Sequence, residues 1–374
     1  MKKPLLFLFL LLLAPLLIGC GSLYAQRREV EQLQVMETLG LDPAPGGVVL
    51  SLASSSGVGE GKALCYSAAG ASCSDAMDRL RSRSLEEMLF CGHLQHILIG
   101  EEAARQGLDG FLAFVCRSSD LRLDMPMYLV LDTSAEDTMR TTGAGEKNTA
   151  DALTAMEEDR DKDSRLSTAG TVLRDLERQG SSLVRTLRVQ DAAEEDPEGA
   201  RTVVPEGFGV LVDGKLTATI SPEDALAVQL LTGALSPCPL VVYDDEGRAV
   251  TLELQEGSAR LRPVWGEDGA LSGLDAAVEV RAVVLEIDGF EQVADEQVLG
   301  DLNARMETEI SRRLGNVLRL SRRLQADFLG LGRQLEQQAP KRCRGLDGAL
   351  GPLLPALSLS VSVRGEISHS HDIT

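Results

Sequence analysis

Cys20 is the residue whose type and position most clearly prescribe chemistry. Lys2 and Lys3 precede a run of apolar residues that ends at Ile18. That run is shorter than the roughly 20 residues that a bilayer-spanning helix needs. A charged start, a short apolar stretch and a small residue before the cleavage site are typical of a secretory signal peptide. We therefore predict that residues 1–19 are a signal peptide.

The end of the apolar run, Leu17-Ile18-Gly19-Cys20, has the form of a bacterial lipobox. In such a motif the cysteine thiolate is the nucleophile that receives a diacylglycerol, and Gly19 leaves room for the peptidase. Acyl chains on Cys20 would anchor the chain without a transmembrane helix. We predict cleavage between Gly19 and Cys20 and a lipid-anchored protein on the extracytoplasmic face. An ordinary signal peptide that ends in cysteine is the alternative.

The other cysteines are predicted to be mostly buried thiols. An exported chain permits disulfides, but Cys-x-x-Cys pairs are absent from the sequence, so the spacing does not indicate a zinc or redox site. One bridge, between Cys65 and Cys73, stays open. The six cysteines after the lipobox are Cys65, Cys73, Cys91, Cys116, Cys238 and Cys343.

The sequence contains neither His-Glu-x-x-His nor a Gly-x-Ser-x-Gly elbow. A phosphate-binding loop fails at two positions, because Ser56 replaces its first glycine and Ala63 replaces the Ser or Thr that would hold magnesium. We predict no catalytic residues, no enzymatic activity and no cofactor beyond the covalent lipid.

Two small clusters have a functional and a structural interpretation. His93 and His96 lie close to Cys91 and could suggest a metal site, but a partly buried strand entry is the more typical setting. Glu101 and Glu102 fit the start of a helix, where the dipole favours acids, better than an acid–base pair. We predict no metal site.

The charge of the chain limits its partners. The net charge is −20 over 374 residues, which argues against nucleic acid, because that binding neutralises phosphates with Lys and Arg. It also argues against docking on anionic lipid through a basic patch. The lipid must therefore hold the protein at the membrane without help from charge.

The length suggests two or three domains, and the pattern predicts an α+β fold of about three mixed α/β domains. In the last of them, a long amphipathic helix packs on an antiparallel sheet. Its opposite face carries several arginines and is either solvated or a docking surface for a partner. The predicted units are an N-terminal domain 20–200 with a charged helical segment 132–190 and an acidic linker 191–200, a β-rich middle domain 201–266, and a C-terminal domain 267–374 with a helix at about 295–326.

Local signals also predict individual elements within the last two of these units. Asp213-Gly214 between β-forming residues predicts a tight hairpin within 207–219. Ser221, followed by a proline, predicts the capped start of a helix. The alternating pattern of 357–367 predicts a final strand.

Four blocks of the sequence resemble the Ger(x)C spore germination proteins. Arg28-Glu29 followed by Leu39-Gly40-Leu41-Asp42 resembles the opening of the family, and 97–104 with Gly107-Leu108 resembles its central signature. Residues 207–216 resemble a strand–turn–strand of the family, and 324–332 give the most specific match. The chain departs from the family where Gly21-Ser22 replaces Trp-Asp, where Ala218 replaces glycine, and where Cys343 or Arg344 replaces tryptophan.

The resemblance implies three mixed α/β domains and a lipoprotein on the outer surface of the inner spore membrane. It also implies assembly with two integral-membrane subunits, A and B, in a receptor for nutrient germinants, with a non-enzymatic scaffold or coupling role. The matching residues are expected to be structural, in turns and helix caps: Gly100, Glu101, Gly107, Asp327, Gly330 and Gly332. The alternatives are a solute-binding lipoprotein of a transporter and, with less support, a cell-wall enzyme.

Overall fold

A computed structural model describes residues 33–56, 63–83, 88–142, 148–158, 167–191, 201–243, 246–287 and 296–368. The predicted signal peptide, Cys20 and the opening Arg28-Glu29 lie outside these residues. The described chain forms two sheets with helices packed against them. This arrangement confirms the predicted mixed α/β fold.

The first sheet has nine strands in the described residues, in the order β3-β2-β1-β5-β6-β7-β8-β9 with β4 beside β1. The four central strands β1, β5, β6 and β7 run parallel, and antiparallel strands flank them on both sides. The strands are β1 (Leu33–Ala44), β2 (Gly47–Ser56), β3 (Ala63–Gly70), β4 (Met88–Phe90), β5 (His96–Gly100), β6 (Met127–Val130), β7 (Ser181–Asp191), β8 (Arg201–Val212) and β9 (Lys215–Ile220).

Helices cover both faces of this sheet, which is why the short central strands β5 and β6 are mostly apolar. Every residue of β5 and β6 is buried. Ile97 and Ile99 face α1, α2, α3 and α6, whereas Leu98 and Tyr128 face α4 and α5. The helices are α1 (Cys73–Arg83), α2 (Glu101–Gln106), α3 (Asp109–Arg117), α4 (Ala135–Thr142), α5 (Thr149–Glu158) and α6 (Ala169–Gln179).

The second sheet has four strands within the described ranges, in the order β10-β11-β12-β13. All its pairs are antiparallel except β12–β13, which is parallel. Helix α8 packs its apolar side, including Met306, Ile310 and Leu314, into the core of this region. The remaining elements are β10 (Cys238–Tyr243), β11 (Ala249–Trp265), β12 (Leu271–Ile287), β13 (Ser358–Ser368), α7 (Pro222–Thr232), α8 (Glu296–Leu324), α9 (Leu331–Gln338), α10 (Leu350–Leu353) and a 3₁₀ turn at Leu354–Ala356.

Helix α7 joins the two sheets. It contacts β8 of the first sheet and both β11 and α8 of the second region. Phe208 and Ile220 of the first sheet therefore share one continuous core with Leu252 and Leu314. The range 201–266, predicted as a middle unit, contributes β8 and β9 to the first sheet and β10 and β11 to the second.

Several elements match the sequence pattern in detail. Asp213 and Gly214 have positive φ values of 49° and 72° in the β8–β9 turn. The Ser221 hydroxyl accepts a hydrogen bond from the backbone N–H of Asp224 at 3.2 Å and caps α7. The long helix spans Glu296–Leu324 against a predicted 295–326.

One element was misread from the sequence. Strand β7, at Ser181–Asp191, lies within the segment predicted to be charged and helical. Its apolar residues Leu183, Val184 and Leu187 do not alternate, because the strand is covered on both faces. Its arginines resemble those of the charged helical segment, so the sequence pattern does not indicate a strand. It pairs with β6 on one side and β8 on the other.

Candidate functional site: the helix starts and the cleft between the sheets

Gly100 ends β5 at the carboxyl edge of the parallel strands. A Cβ atom there would lie 2.2 Å from Oδ1 of Asp42, which ends the neighbouring stretch of β1. The Asp42 carboxylate accepts hydrogen bonds from the backbone N–H groups of Ala135 (2.8 Å) and Glu136 (2.9 Å), which begin α4. Burial raises the pKa of Asp42, although these two N–H groups oppose the rise. Gly100 thus leaves the space in which a buried carboxylate caps a helix.

Glu101 connects the same edge to neighbouring loops. Its Oε2 accepts a hydrogen bond from the backbone N–H of Asp132 at 3.2 Å, and its other oxygen pairs with Arg105. Burial raises the pKa of Glu101, but the contacts with Arg105 and Asp132 outweigh burial and hold that pKa below its usual value. The carboxylate of Asp132 pairs in turn with Arg188 of β7. Both carboxylate oxygens of Glu101 are thus engaged, one by the backbone of Asp132 and the other by the side chain of Arg105.

Gly107 ends α2 with a φ of 126°, a conformation that favours glycine. The next residue, Leu108, donates its backbone N–H to the carbonyl of Gly214 at 2.9 Å. The link between α2 and α3 is thereby tied to the turn of the β8–β9 hairpin.

Asp327 makes a second buried cap. Its Oδ1 accepts from the backbone N–H of Leu331 at 2.8 Å and its Oδ2 from that of Gly332 at 2.7 Å, at the start of α9. Burial raises the pKa of Asp327 to about 7 against the opposing effect of these two N–H groups. Gly330 has a φ of 68°, and a Cβ on Gly332 would lie 2.3 Å from the carbonyl oxygen of Leu346.

A cleft of about 630 Å³ lies between the two regions. One wall comes from α6, β7 and β8, and the other from α7, α9 and residues 328–330. Arg178 at the end of α6 pairs with Asp347, and a Cβ on Gly348 would lie 2.3 Å from the Arg178 carbonyl oxygen. Arg333 of α9 lies 3.8 Å from Asp175 of α6. These contacts join the walls.

The histidines and cysteines that the sequence offers for a metal site or a disulfide do not form such a site in the described residues. In the part of the chain that the structure describes, no group of three or more His, Cys, Asp or Glu could hold a metal ion. His96 is buried with its Nε2 3.3 Å from Oε1 of Glu157, and Tyr128 donates its hydroxyl to the same oxygen. Cys65 and Cys73 are separate thiols, and burial raises the pKa of each to about 11.

Sequence reasoning singled out the glycines and Asp327 but missed Asp42 as a cap and the arginines of the cleft. In the sequence, Asp42 stands out only as part of the Leu39-Gly40-Leu41-Asp42 motif, and its N–H partners lie 93 and 94 residues further along the chain. The pair Arg174 and Arg178, four residues apart on α6, was the available signal for one wall of the cleft. Within the described ranges, none of the helices is long and apolar enough to cross a membrane.

Comparisons with known proteins agree with this architecture. A family described as "Spore germination protein N-terminal domain" matches residues 26–188, and one described as "Spore germination B3/ GerAC like, C-terminal" matches residues 206–371. The crystal structure of the GerBC protein superposes with a TM-score of 0.55 at 15% identity, covering 88% of this chain and 96% of that one. That likeness shows a common fold. A search of curated proteins gave no match.

The two sheets joined by α7 thus define a mixed α/β protein with the GerBC-like fold. The chain belongs to the GerAC-like family of spore germination proteins, because the two family matches together cover most of its length. The resemblance to the Ger(x)C proteins is confirmed.

Proposed function

We propose that this protein is the lipid-anchored C subunit of a spore nutrient germinant receptor and acts with two integral-membrane subunits, A and B. The observation that carries the proposal is the succession of both family domains, 26–188 and 206–371, directly after a lipobox cysteine. The family assignment supports a role in germination, and the lipobox supports the anchor. The location that follows is the outer surface of the inner spore membrane.

A non-enzymatic scaffold or coupling role fits the chemistry of the family-motif residues. Gly100 and Gly332 leave room for neighbouring groups, and Asp42 and Asp327 accept backbone N–H groups rather than facing a cleft. Such residues hold backbone geometry, which a protein that positions two membrane partners needs. The charged face of α8 supports a docking surface, although some of it is paired internally, as Arg312 and Arg313 are with Glu309.

Deletion of the gene tests the receptor role. Spores lacking the protein should lose germination in response to at least one nutrient and recover it when the wild-type gene is restored. Germination that is unchanged under every nutrient would overturn the proposal. Germination triggered by a route that bypasses nutrient receptors is the control, and it should not change.

A Cys20→Ser variant tests the anchor separately. The wild-type protein should sediment with membranes and carry an acylated N-terminal cysteine in mass spectrometry, whereas the variant should be released or remain unprocessed. A wild-type N-terminal peptide with a bare thiol would refute the anchor but leave the family assignment intact.

The alternative, a solute-binding lipoprotein of a transporter, is favoured by one observation, the cleft of about 630 Å³ between the two regions. However, among the residues that the structure describes, the block of parallel strands lies in the first sheet alone, and the second sheet is antiparallel apart from β13. This arrangement differs from the two doubly wound lobes expected of that class. The receptor subunit therefore remains the better-supported function.

A further inference from the structure

We propose that the cleft between the two sheets binds a small organic carboxylate with an apolar body. The lining of the cleft has more basic than acidic residues, although the whole chain carries a net charge of −20. Among the described residues, four arginines and a single acidic residue line it. The arginines are Arg174, Arg178, Arg185 and Arg333, and the acid is Asp175.

Two of these arginines carry the inference. Arg178 is paired with Asp347, and the guanidinium of Arg185 lies over the ring of Phe208, 5.9 Å from its centroid. Arg174 and Arg333, in contrast, share one oxygen of Asp175, at 3.9 Å and 3.8 Å. Both distances exceed the 2.7–3.2 Å or so of an N–H···O hydrogen bond. The guanidinium groups of Arg174 and Arg333 thus lie near the same carboxylate oxygen, but beyond hydrogen-bond distance of it.

The geometry of these two side chains suits a carboxylate ligand. Arg174 projects from α6 on one wall and Arg333 from α9 on the other, so a carboxylate between them would contact both sides of the cleft. A guanidinium group offers two parallel N–H donors to a carboxylate, and the resulting hydrogen bonds are among the strong ones in proteins. Arg333 also lies over Gly330, where a Cβ would come within 3.1 Å of its Nη2.

The rest of the lining favours an organic molecule over an inorganic ion. Phe208, Phe328 and Leu183 line the cleft together with Val228 and Leu329. The volume of about 630 Å³ lies in the range of small-molecule sites, roughly 300–1,000 Å³. Inorganic phosphate could accept hydrogen bonds from the arginines, but it would leave this apolar surface exposed to water.

Binding should stabilise the junction of the two regions. A ligand held by Arg174 and Arg333 connects helices that pack on different sheets. It would therefore raise the unfolding temperature through binding to the folded state alone. The inference rests on the cleft and not on the receptor role, and its test uses the purified protein.

Calorimetric titration and thermal unfolding of the mature lipidated chain in detergent test the proposal. The probes are acetate, succinate and phenylacetate, their neutral amides, and inorganic phosphate. We expect saturable binding and a raised unfolding temperature with phenylacetate, and neither effect with phenylacetamide. Equal responses to acid and amide, a response to phosphate alone, or the absence of saturable binding by every carboxylate would overturn the proposal.

Variants connect binding to the cleft. Arg174→Gln and Arg333→Gln should each weaken carboxylate binding about tenfold by removing a charged double donor, and Arg333→Lys should weaken it less. Arg79→Gln, an exposed arginine on α1 that pairs with Asp75, is the matched control and should bind like the wild type. If one of the two Gln variants does not fold, the affinities of the other Gln variant and of Arg333→Lys still test the site. Unchanged affinity in the folded cleft variants would refute the site.

Discussion

Asp42 and Asp327 are two buried carboxylates, one in each region of the molecule, that cap helices in the same way. Each accepts two backbone N–H groups at distances of 2.7–2.9 Å from the first residues of a helix. At both positions a glycine leaves the necessary space: Gly100 beside Asp42 and Gly332 beside Asp327. The same device therefore positions α4 on the first sheet and α9 on the wall of the cleft.

The two caps differ in how the chain builds them. Asp327 caps a helix that starts four residues later, whereas Asp42 caps one that starts 93 residues later. Gly332 lies inside the helix that it helps to start, and Gly100 lies on a different strand from Asp42. The first cap is a local turn, and the second forms only when β1, β5 and α4 have assembled. Local caps can thus be read from sequence, and assembled ones cannot.

The largest expected effect comes from adding a methyl group at the two glycines. In Gly332→Ala the new Cβ meets the backbone carbonyl of Leu346, which moves only with its loop, and we expect a loss of about 3–4 kcal/mol in unfolding free energy. In Gly100→Ala it meets the side-chain oxygen of Asp42, which can rotate by giving up its cap, and we expect about 2–3 kcal/mol. Urea unfolding followed by circular dichroism measures both, and a larger loss at Gly100 would reverse this ranking.

Removal of each carboxylate gives the next largest effect. Asp42→Ala and Asp327→Ala each leave two helix-start N–H groups without their acceptor, so we expect each to lower stability by about 2 kcal/mol. Asp124→Ala is the control, because Asp124 is 77% exposed and forms a surface pair with Arg122, and it should change stability by less than about 0.5 kcal/mol. If the control is as damaging as Asp327→Ala, the caps have no special role.

An effect of comparable size, seen as a dependence on pH, follows from the raised pKa of Asp327. Burial raises this pKa from 3.8 to about 7, Asp347 adds to the rise and Arg333 opposes it. Because the folded state binds the proton more tightly, the stability contributed by Asp327 is fully present below about pH 4. It is lost as the pH rises through about 7.

The measurement compares the wild type with Asp327→Asn, which cannot titrate. Between pH 5 and pH 8 the wild type should lose about 2 kcal/mol relative to the variant. The same comparison with Asp42→Asn should show a change of the same sign, because burial raises the pKa of Asp42 as well. A wild type and an Asp327→Asn variant with parallel pH profiles would contradict the raised pKa.

The sequence predicted the parts of the fold whose signals are local. The Asp213-Gly214 turn, the Ser221 cap and the length of α8 each depend on residues within a few positions of one another, and the structure agrees with all three. The cap formed by Asp42 and the approach of Arg174 to Arg333 depend on residues about 93 and 159 positions apart, respectively. Periodicity cannot report such contacts, because sheet order and helix packing decide them.

The smallest expected effect is an increase in stability, and it separates the steric effect of a new Cβ atom from the effect of helix propensity. Gly300 lies in α8, is exposed, and has open space where a Cβ would be placed. Alanine loses less backbone entropy than glycine on entering a helix, so Gly300→Ala should raise stability by about 0.5–1 kcal/mol. Gly332 also lies in a helix, but in its first turn, and there the clash with the Leu346 carbonyl should outweigh any gain in propensity. If Gly300→Ala destabilises the protein as much as Gly332→Ala does, the clash is not the cause of the loss at Gly332.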